Sequence, residues 1–247
     1  MALPDAHPEM VRAVALGGRV ACLSAARHLG LWTPDEDEPA LHIARPRHAG
    51  RTFGDPSGCV EHWQSQTWSS RDSSVESIDA LVRQVLLCLA YEDALTIVDS
   101  ALNKHLLSQT RLRRIVESLP ARFTRVLDDV DDASESGLET LCRLRLAVFG
   151  VTVRTQVEFP GIGRVDLVIG DRIVLEADGR HWHSGESSFL ADRSRDLALT
   201  RLGYVVIRVA YQQVIHEWQL IETAIGGMIG RNEHLWSAAH RRDGLGS

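Results

Sequence analysis

Between Arg164 and His183 the chain reads RVDLVIGDRIVLEADGRHWH, which sets Asp166, Glu176 and Asp178 among valines, leucines and isoleucines that otherwise spell two buried strands. An unpaired buried charge costs roughly several kcal/mol and is normally neutralised, paired or bound to a cation. Three such acids followed by His181 and His183 therefore call for a metal ion or a reaction. Side chains alternate along a strand, so Glu176 and Asp178 share one face while Leu175 and Ala177 take the other. Whether Asp166 joins them depends on the turn between the strands. A two-residue connection at Gly170-Asp171 pairs Asp166 with Leu175 and sends Glu176 to the opposite face; a three-residue connection or a bulge pairs Asp166 with Glu176.

The elements that must position these residues follow from Ser136 onward. A helical stretch, GLETLCRLRLAVFG, precedes a strand, TVRTQVEF, then the two acid-bearing strands. A helix (SSFLADRSRDLALTRLG), a strand (YVVIRVA) and a last helix (QQVIHEWQLIETAIGGMI) complete the order. A hairpin-rich sheet whose final strand returns through a crossover helix is an α/β sandwich in α-β-β-β-α-β order, with a mixed sheet.

An acid on one strand and E-x-D on the next, preceded by a helix bearing Glu139, resembles the PD-(D/E)XK restriction-endonuclease-like superfamily. Within it, ADGRHWHSG and DRSRDLALTRLGYVVIRV are similar to the branch related to very-short-patch repair endonucleases, over roughly residues 134–215. The resemblance implies hydrolysis of phosphodiester bonds by a Mg²⁺- or Mn²⁺-dependent endodeoxyribonuclease. It makes Asp166 and Glu176 the metal ligands, with the carbonyl of Ala177 as a further oxygen. Hard divalent cations prefer such oxygen donors and keep several waters.

The sequence departs from the superfamily where a lysine usually follows the acid by two residues, because Asp178 stands there. Lys104 is the chain's only lysine, so no other element of this region supplies one. Asp178 is expected to bind a second ion or orient water. His183 is expected to act as general acid or base, since imidazole titrates near neutrality, and His181 to pack or to touch phosphate. Arg193 and Arg195 are candidates to meet the scissile strand. Plainer readings stand beside these. Ser136 and Glu139 also form an S-x-x-E capping box, Asp178-Gly179 also opens a turn, and Asp192, Arg193, Arg195 and Asp196 also make helix ion pairs.

Upstream, GGRVACLSAARHLGLW and LHIARPRHAGR are similar to the winged-helix module of AbiEi-type antitoxin proteins. Ser24 is read as the N-cap of a helix ending at Gly30. The extended pieces ALHIARP and GCVEHW are read as a small hairpin, with Arg45, Arg47 and Arg51 as the basic loop that meets duplex phosphate. Residues 75–130 show apolar positions recurring at three and four, as in a packed helical connector. The acidic run DDVDDASES holds the boundary. The organisation expected is thus a winged-helix-like DNA-binding domain (1–70), a helical connector (71–133) and a restriction-endonuclease-like nuclease domain (134–247).

Composition bounds these readings. At 247 residues, 44% hydrophobic and 24% charged, the chain suits one large domain or two small ones. Residues 1–133 hold 14 Lys and Arg against 19 Asp and Glu (net −5), and 134–247 hold 13 against 14 (net −1). The acid lies mostly outside the suspicious cluster, and a local basic groove coexists with an acidic whole. Four scattered cysteines, with no C-x-x-C pair, suggest neither a zinc ribbon nor a disulfide framework, and they are expected to be reduced packing residues. No apolar run reaches membrane-span length, and the start MALPDAHPEM lacks signal-peptide order, so a cytoplasmic protein is expected. Its expected partner is DNA, whether duplex, mismatched or single-stranded, in repair or phage defence, with a homodimer as a candidate assembly. The competing class is a non-catalytic DNA-binding regulator or antitoxin that retains a nuclease fold.

Overall fold

The structure, a computed structural model, describes residues 7–35, 40–46, 54–64, 73–179 and 186–246. It is mixed α/β and divides into two compact units, Met1–Asp132 and Ala133–Ser247, with the division falling in the acidic run. Among the described residues no helix is long and apolar enough to cross a membrane.

The first unit opens with α1 (Pro8–Ala15), β1 (Arg19–Val20) and α2 (Cys22–His28), then β2 (Leu41–Pro46) and β3 (Cys59–Gln64). Ser24 is not an N-cap. It lies inside α2, fully buried, and its Oγ accepts from the His42 backbone N–H of β2 at 3.0 Å, so the hydroxyl ties helix to sheet. Gly30, at φ +64, ends the helical segment as expected of a left-handed position.

The expected hairpin is not formed. β2 and β3 run parallel, Leu41 beside Cys59 through Pro46 beside Gln64, and parallel neighbours need a connection of about a dozen residues, the length of chain between Pro46 and Cys59. Alternating apolar residues read the same in either direction, so pattern could not tell the two arrangements apart. The helices α3 (Ile78–Cys88), α4 (Tyr91–Asn103), α5 (Gln109–Glu117) and α6 (Val126–Asp129) belong to this same unit. Val20 bridges Val75, and α3 packs on α2, so the segment read as a connector completes the core of the first unit.

The second unit contains α7 (Gly137–Leu146), β4 (Val153–Phe159), β5 (Gly163–Ile169), β6 (Ile173–Asp178), α8 (Glu186–Arg201), β7 (Val205–Ala210), α9 (Tyr211–His216), α10 (Trp218–Gly230) and α11 (Ala238–Arg242). Its sheet has the order β4-β5-β6-β7, antiparallel until β7, which runs parallel to β6. The sheet is mixed because α8 carries the chain back across it before β7. The single last helix expected is two, broken at Glu217, whose φ of −126° and ψ of 29° leave the helical region.

Leu167, Ile169, Ile173 and Leu175 are fully buried, each contributing about 1.5–3 kcal/mol by leaving water. Val165, Val168 and Val174 pack with Leu199 of α8, and Phe159, Tyr204 and Val206 border them. This apolar block holds the strands rigidly enough to carry acids at their far ends.

Candidate active site

The turn decides the site. Ile169 faces Ile173, so the connection is the three residues Gly170, Asp171 and Arg172. Gly170 sits at φ +59, and a Cβ there would meet the His234 carbonyl oxygen at 2.7 Å, so glycine is required both by conformation and by space. The odd-numbered turn places Asp166 opposite Glu176, on the face that Glu176 shares with Asp178.

One row then runs across the sheet. Thr155 and Val157 of β4 pair with Leu167 and Val165 of β5, which leaves Gln156 opposite Asp166; beyond Glu176, β7 contributes Arg208. The antiparallel ladder between β5 and β6 stops at Leu167–Leu175. In place of the next ladder bond, Asp166 Oδ2 accepts from the Ala177 N–H at 2.8 Å. Gln156 adopts φ +53, a rare conformation for a side-chain-bearing strand residue, and its Nε2 donates to Glu139 Oε2 at 2.7 Å.

Only half of the capping box expected of Ser136 and Glu139 is formed. The Glu139 N–H donates to Ser136 Oγ at 3.3 Å, as an N-cap requires, but its carboxylate accepts from the Glu135 N–H, not from Ser136. It is buried, and burial first, opposed by the Gln156 hydrogen bond and aided by the Asp166 charge, pushes its carboxyl up to about 7. Glu176 is also pushed up to about 7, by burial and then by Asp166, with Arg195 and Arg208 pulling the other way. Asp166 is raised as well, chiefly by burial. Three neighbouring acids are thus held against their charged forms, a state that a cation among them relieves.

Cations of the protein meet part of this demand. Arg195 Nη2 lies 3.3 Å from Glu176 Oε1, yet that oxygen accepts no hydrogen bond. Arg208 grips Asp196 through Nε at 3.1 Å and Nη2 at 2.9 Å and reaches Asp178 Oδ1 at 3.4 Å. Sequence reasoning missed Arg208 and Gln156. Arg208 was visible as the sole charge in the strand VVIRVA, whereas nothing in the sequence announced the backbone of Gln156. Arg208 is thus the cation that β7 brings beside Glu176 and Asp178, a guanidinium that holds its charge and does not exchange protons near neutrality.

Arg193 is exposed and pairs with Asp196 at 3.4 Å, the plainer helix pair, while Arg195 turns inward to Glu176. Arg45 is not a free wing cation. Its Nη1 donates to Glu61 at 2.9 Å and its guanidinium lies over the Trp63 ring. His181, His183, Arg47 and Arg51, and the side chain of Asp192, lie outside the described residues.

The donor set fits a hard divalent cation such as Mg²⁺ or Mn²⁺ by the chemistry of its atoms, all oxygen, and by the unsatisfied buried Glu176 Oε1. The acids do not form a three-residue cage, for the described donors that lie within 4.8 Å of one another in groups of three or more are found elsewhere. An ion here would rest on Asp166, Glu176 and the Ala177 carbonyl and complete its shell with water, the usual habit of Mg²⁺.

Comparison with known proteins finds the chain 26% identical over 222 residues to two Mycobacterium tuberculosis proteins, covering 83% of this chain and 79% of theirs. They are Uncharacterized protein Rv2248 of strain ATCC 25618 / H37Rv and Uncharacterized protein MT2308 of strain CDC 1551 / Oshkosh. No family model and no solved structure matches the chain.

Proposed function

We propose that the second unit is a metal-dependent endonuclease that hydrolyses DNA phosphodiester bonds on a restriction-endonuclease-like sandwich. The observation that carries this reading is the row Gln156, Asp166, Glu176 and Arg208 across the sheet, with acids raised by burial and one buried oxygen unsatisfied. A bound Mg²⁺ or Mn²⁺ supplies charge neutralisation at the scissile phosphate and a lower pKa for water. The chain's own groups do the rest. Asp166 and Glu176 hold the ion, and the Ala177 N–H fixes the Asp166 carboxylate. Gln156 orients Glu139, and Arg208 and Asp178 set the charge beside the phosphate. His183 follows across a glycine and serves as the proton carrier. The first unit positions the nuclease on DNA.

A second reading is favoured by the ion pair between Arg195 and Glu176. There the arginines neutralise the acids themselves, and the chain is a DNA-binding regulator on a retired nuclease fold. A nicking assay on plasmid, mismatched duplex and single-stranded DNA, with Mg²⁺, Mn²⁺ or EDTA, separates the two. The nuclease reading expects metal-dependent nicking that Asp166→Asn lowers by about 10²–10³-fold. Duplex binding without turnover under every ion would replace it with the regulator.

A further inference from the structure

The first unit gathers four soft donors that the nuclease reading does not use. Cys22 is the first residue of α2, Cys88 the last of α3, and His42 and His62 lie on β2 and β3. Their donor atoms all lie within 4.8 Å of one another. In the parallel register His62 stands beside Ala44, so His42 and His62 are diagonal neighbours on one face of the sheet. Their Nδ1 and Nε2 atoms are 3.1 Å apart, close to the edge of about 3.3–3.4 Å that two imidazoles span on a tetrahedral ion with Zn–N bonds of about 2.0–2.1 Å.

From this convergence we propose that Cys22, His42, His62 and Cys88 form a tetrahedral Cys₂His₂ site for Zn²⁺ that staples α2, the sheet and α3 together. Two thiolates and two imidazoles are the donor set that selects zinc over hard cations such as Mg²⁺. All four positions are filled by the protein, which marks a structural rather than a catalytic site.

Three features prepare the cluster. Cys22 takes φ +46, a strained value for a side-chain-bearing residue, and such strain persists where the surroundings enforce it. Here Gln84, one turn before Cys88 on α3, accepts from the buried Cys22 N–H at 2.9 Å and fixes that backbone. Ser24 does the same for the backbone of His42. Burial works against the charged form of both imidazoles, and the uncharged ring is the form with a lone pair to give to a metal. The Cys22 thiol is raised by burial and by Cys88, and metal binding removes its proton to solvent as the thiolate bonds to the ion. No electrons change hands.

The ligands come from separate elements, so the ion closes long loops of the chain. That role suits a unit whose sheet is small and whose α2 begins in strain. The proposal stands apart from the nuclease reading, because it uses no residue of the second unit.

The test uses the full chain, stripped of metal under reducing conditions and titrated with Zn²⁺ and with Co²⁺. Expected are one tightly held zinc per chain, a Co²⁺ spectrum with thiolate charge-transfer bands, and a melting transition raised by zinc. Cys88→Ser changes an exposed residue and is therefore the variant least exposed to misfolding. It should lose zinc affinity by about 10²-fold or more, since even the loss of an outer-shell partner costs 10–100-fold, and should weaken the charge-transfer bands. His62→Ala should act alike, and Glu176→Gln should leave zinc binding unchanged. The second donor group, exposed His7 with half-buried Glu9 and His28, is the adventitious alternative, so His28→Ala must also leave the stoichiometry intact. Three outcomes overturn the proposal: no tight zinc, zinc lost with His28→Ala but retained in Cys88→Ser, or a Cys22–Cys88 disulfide in the freshly isolated protein that reduction opens without creating zinc affinity.

Discussion

The two clusters of ionisable groups differ in nearly every property that selects a cation. In the second unit, oxygens converge from adjacent strands, their acids are raised by burial and mutual repulsion, and arginines crowd the rim. In the first, sulfur and imidazole nitrogen converge from four separate elements, and burial disfavours the charged imidazoles. If both proposed sites hold metal, the difference lets one chain sort ions by donor chemistry alone. Carboxylates in want of charge favour a small hard cation beside a phosphate, whereas thiols and neutral imidazoles favour zinc as a staple.

The largest effect that would break this contrast is expected at the acids. Asp166→Asn and Glu176→Gln should each lower cleavage by about 10²–10³-fold, the scale of losing one charge-stabilising group, while zinc content stays constant. Loss of zinc in either variant would show that the two sites are not independent.

Next come Asp178→Asn and His183→Ala, each expected to cost about 10²-fold in cleavage with the melting temperature preserved. Activity falling only in step with folded protein would assign both a structural role. Asp178→Lys sharpens the point, because an inert wild type and an active lysine variant together mark a retired nuclease.

A smaller effect is expected at Arg208, where Arg208→Ala removes the two-pronged grip on Asp196, which keeps Arg193, and the cation beside Asp178. Denaturant unfolding should show a loss of about 0.5–1.5 kcal/mol, the net worth of a hydrogen-bonded pair at a half-buried site. Arg208→Lys should restore the charge but not the two-pronged grip on Asp196.

The smallest concerns pH. Glu139 and Glu176 titrate near 7 when folded against an ordinary 4.5, so between those values the folded state holds more protons than the unfolded. Stability of the metal-free chain should be fullest below about 4.5 as far as these two groups go, and their contribution should be lost as pH rises through 7. Mg²⁺ should flatten that slope, and Glu139→Gln should reduce it without metal. A slope that survives Glu139→Gln and Glu176→Gln together would place its origin elsewhere.

Local sequence settled a good deal of this protein. The period of two around Asp166 and the E-x-D spacing put Glu176 and Asp178 on one face, because alternation is a property of any strand. Ser136 caps its helix as its type predicts, because a cap needs only neighbours in the chain. The mixed character of the second sheet followed from the position of α8 between strands.

Tertiary structure decided the remainder. The text GDR allowed either turn, and only packing of Gly170 against His234 accompanies the register that faces Asp166 toward Glu176. The direction of β3 beside β2 was invisible because alternation carries no polarity, and so a hairpin was expected where a parallel pair stands. Arg208 and Gln156 entered the acid row through strand pairing across the sheet. Cys22, His42, His62 and Cys88 show no metal-ligand spacing at all. They meet only because two helices end against one sheet, and proximity between distant positions is set by folding, not by the order of residues.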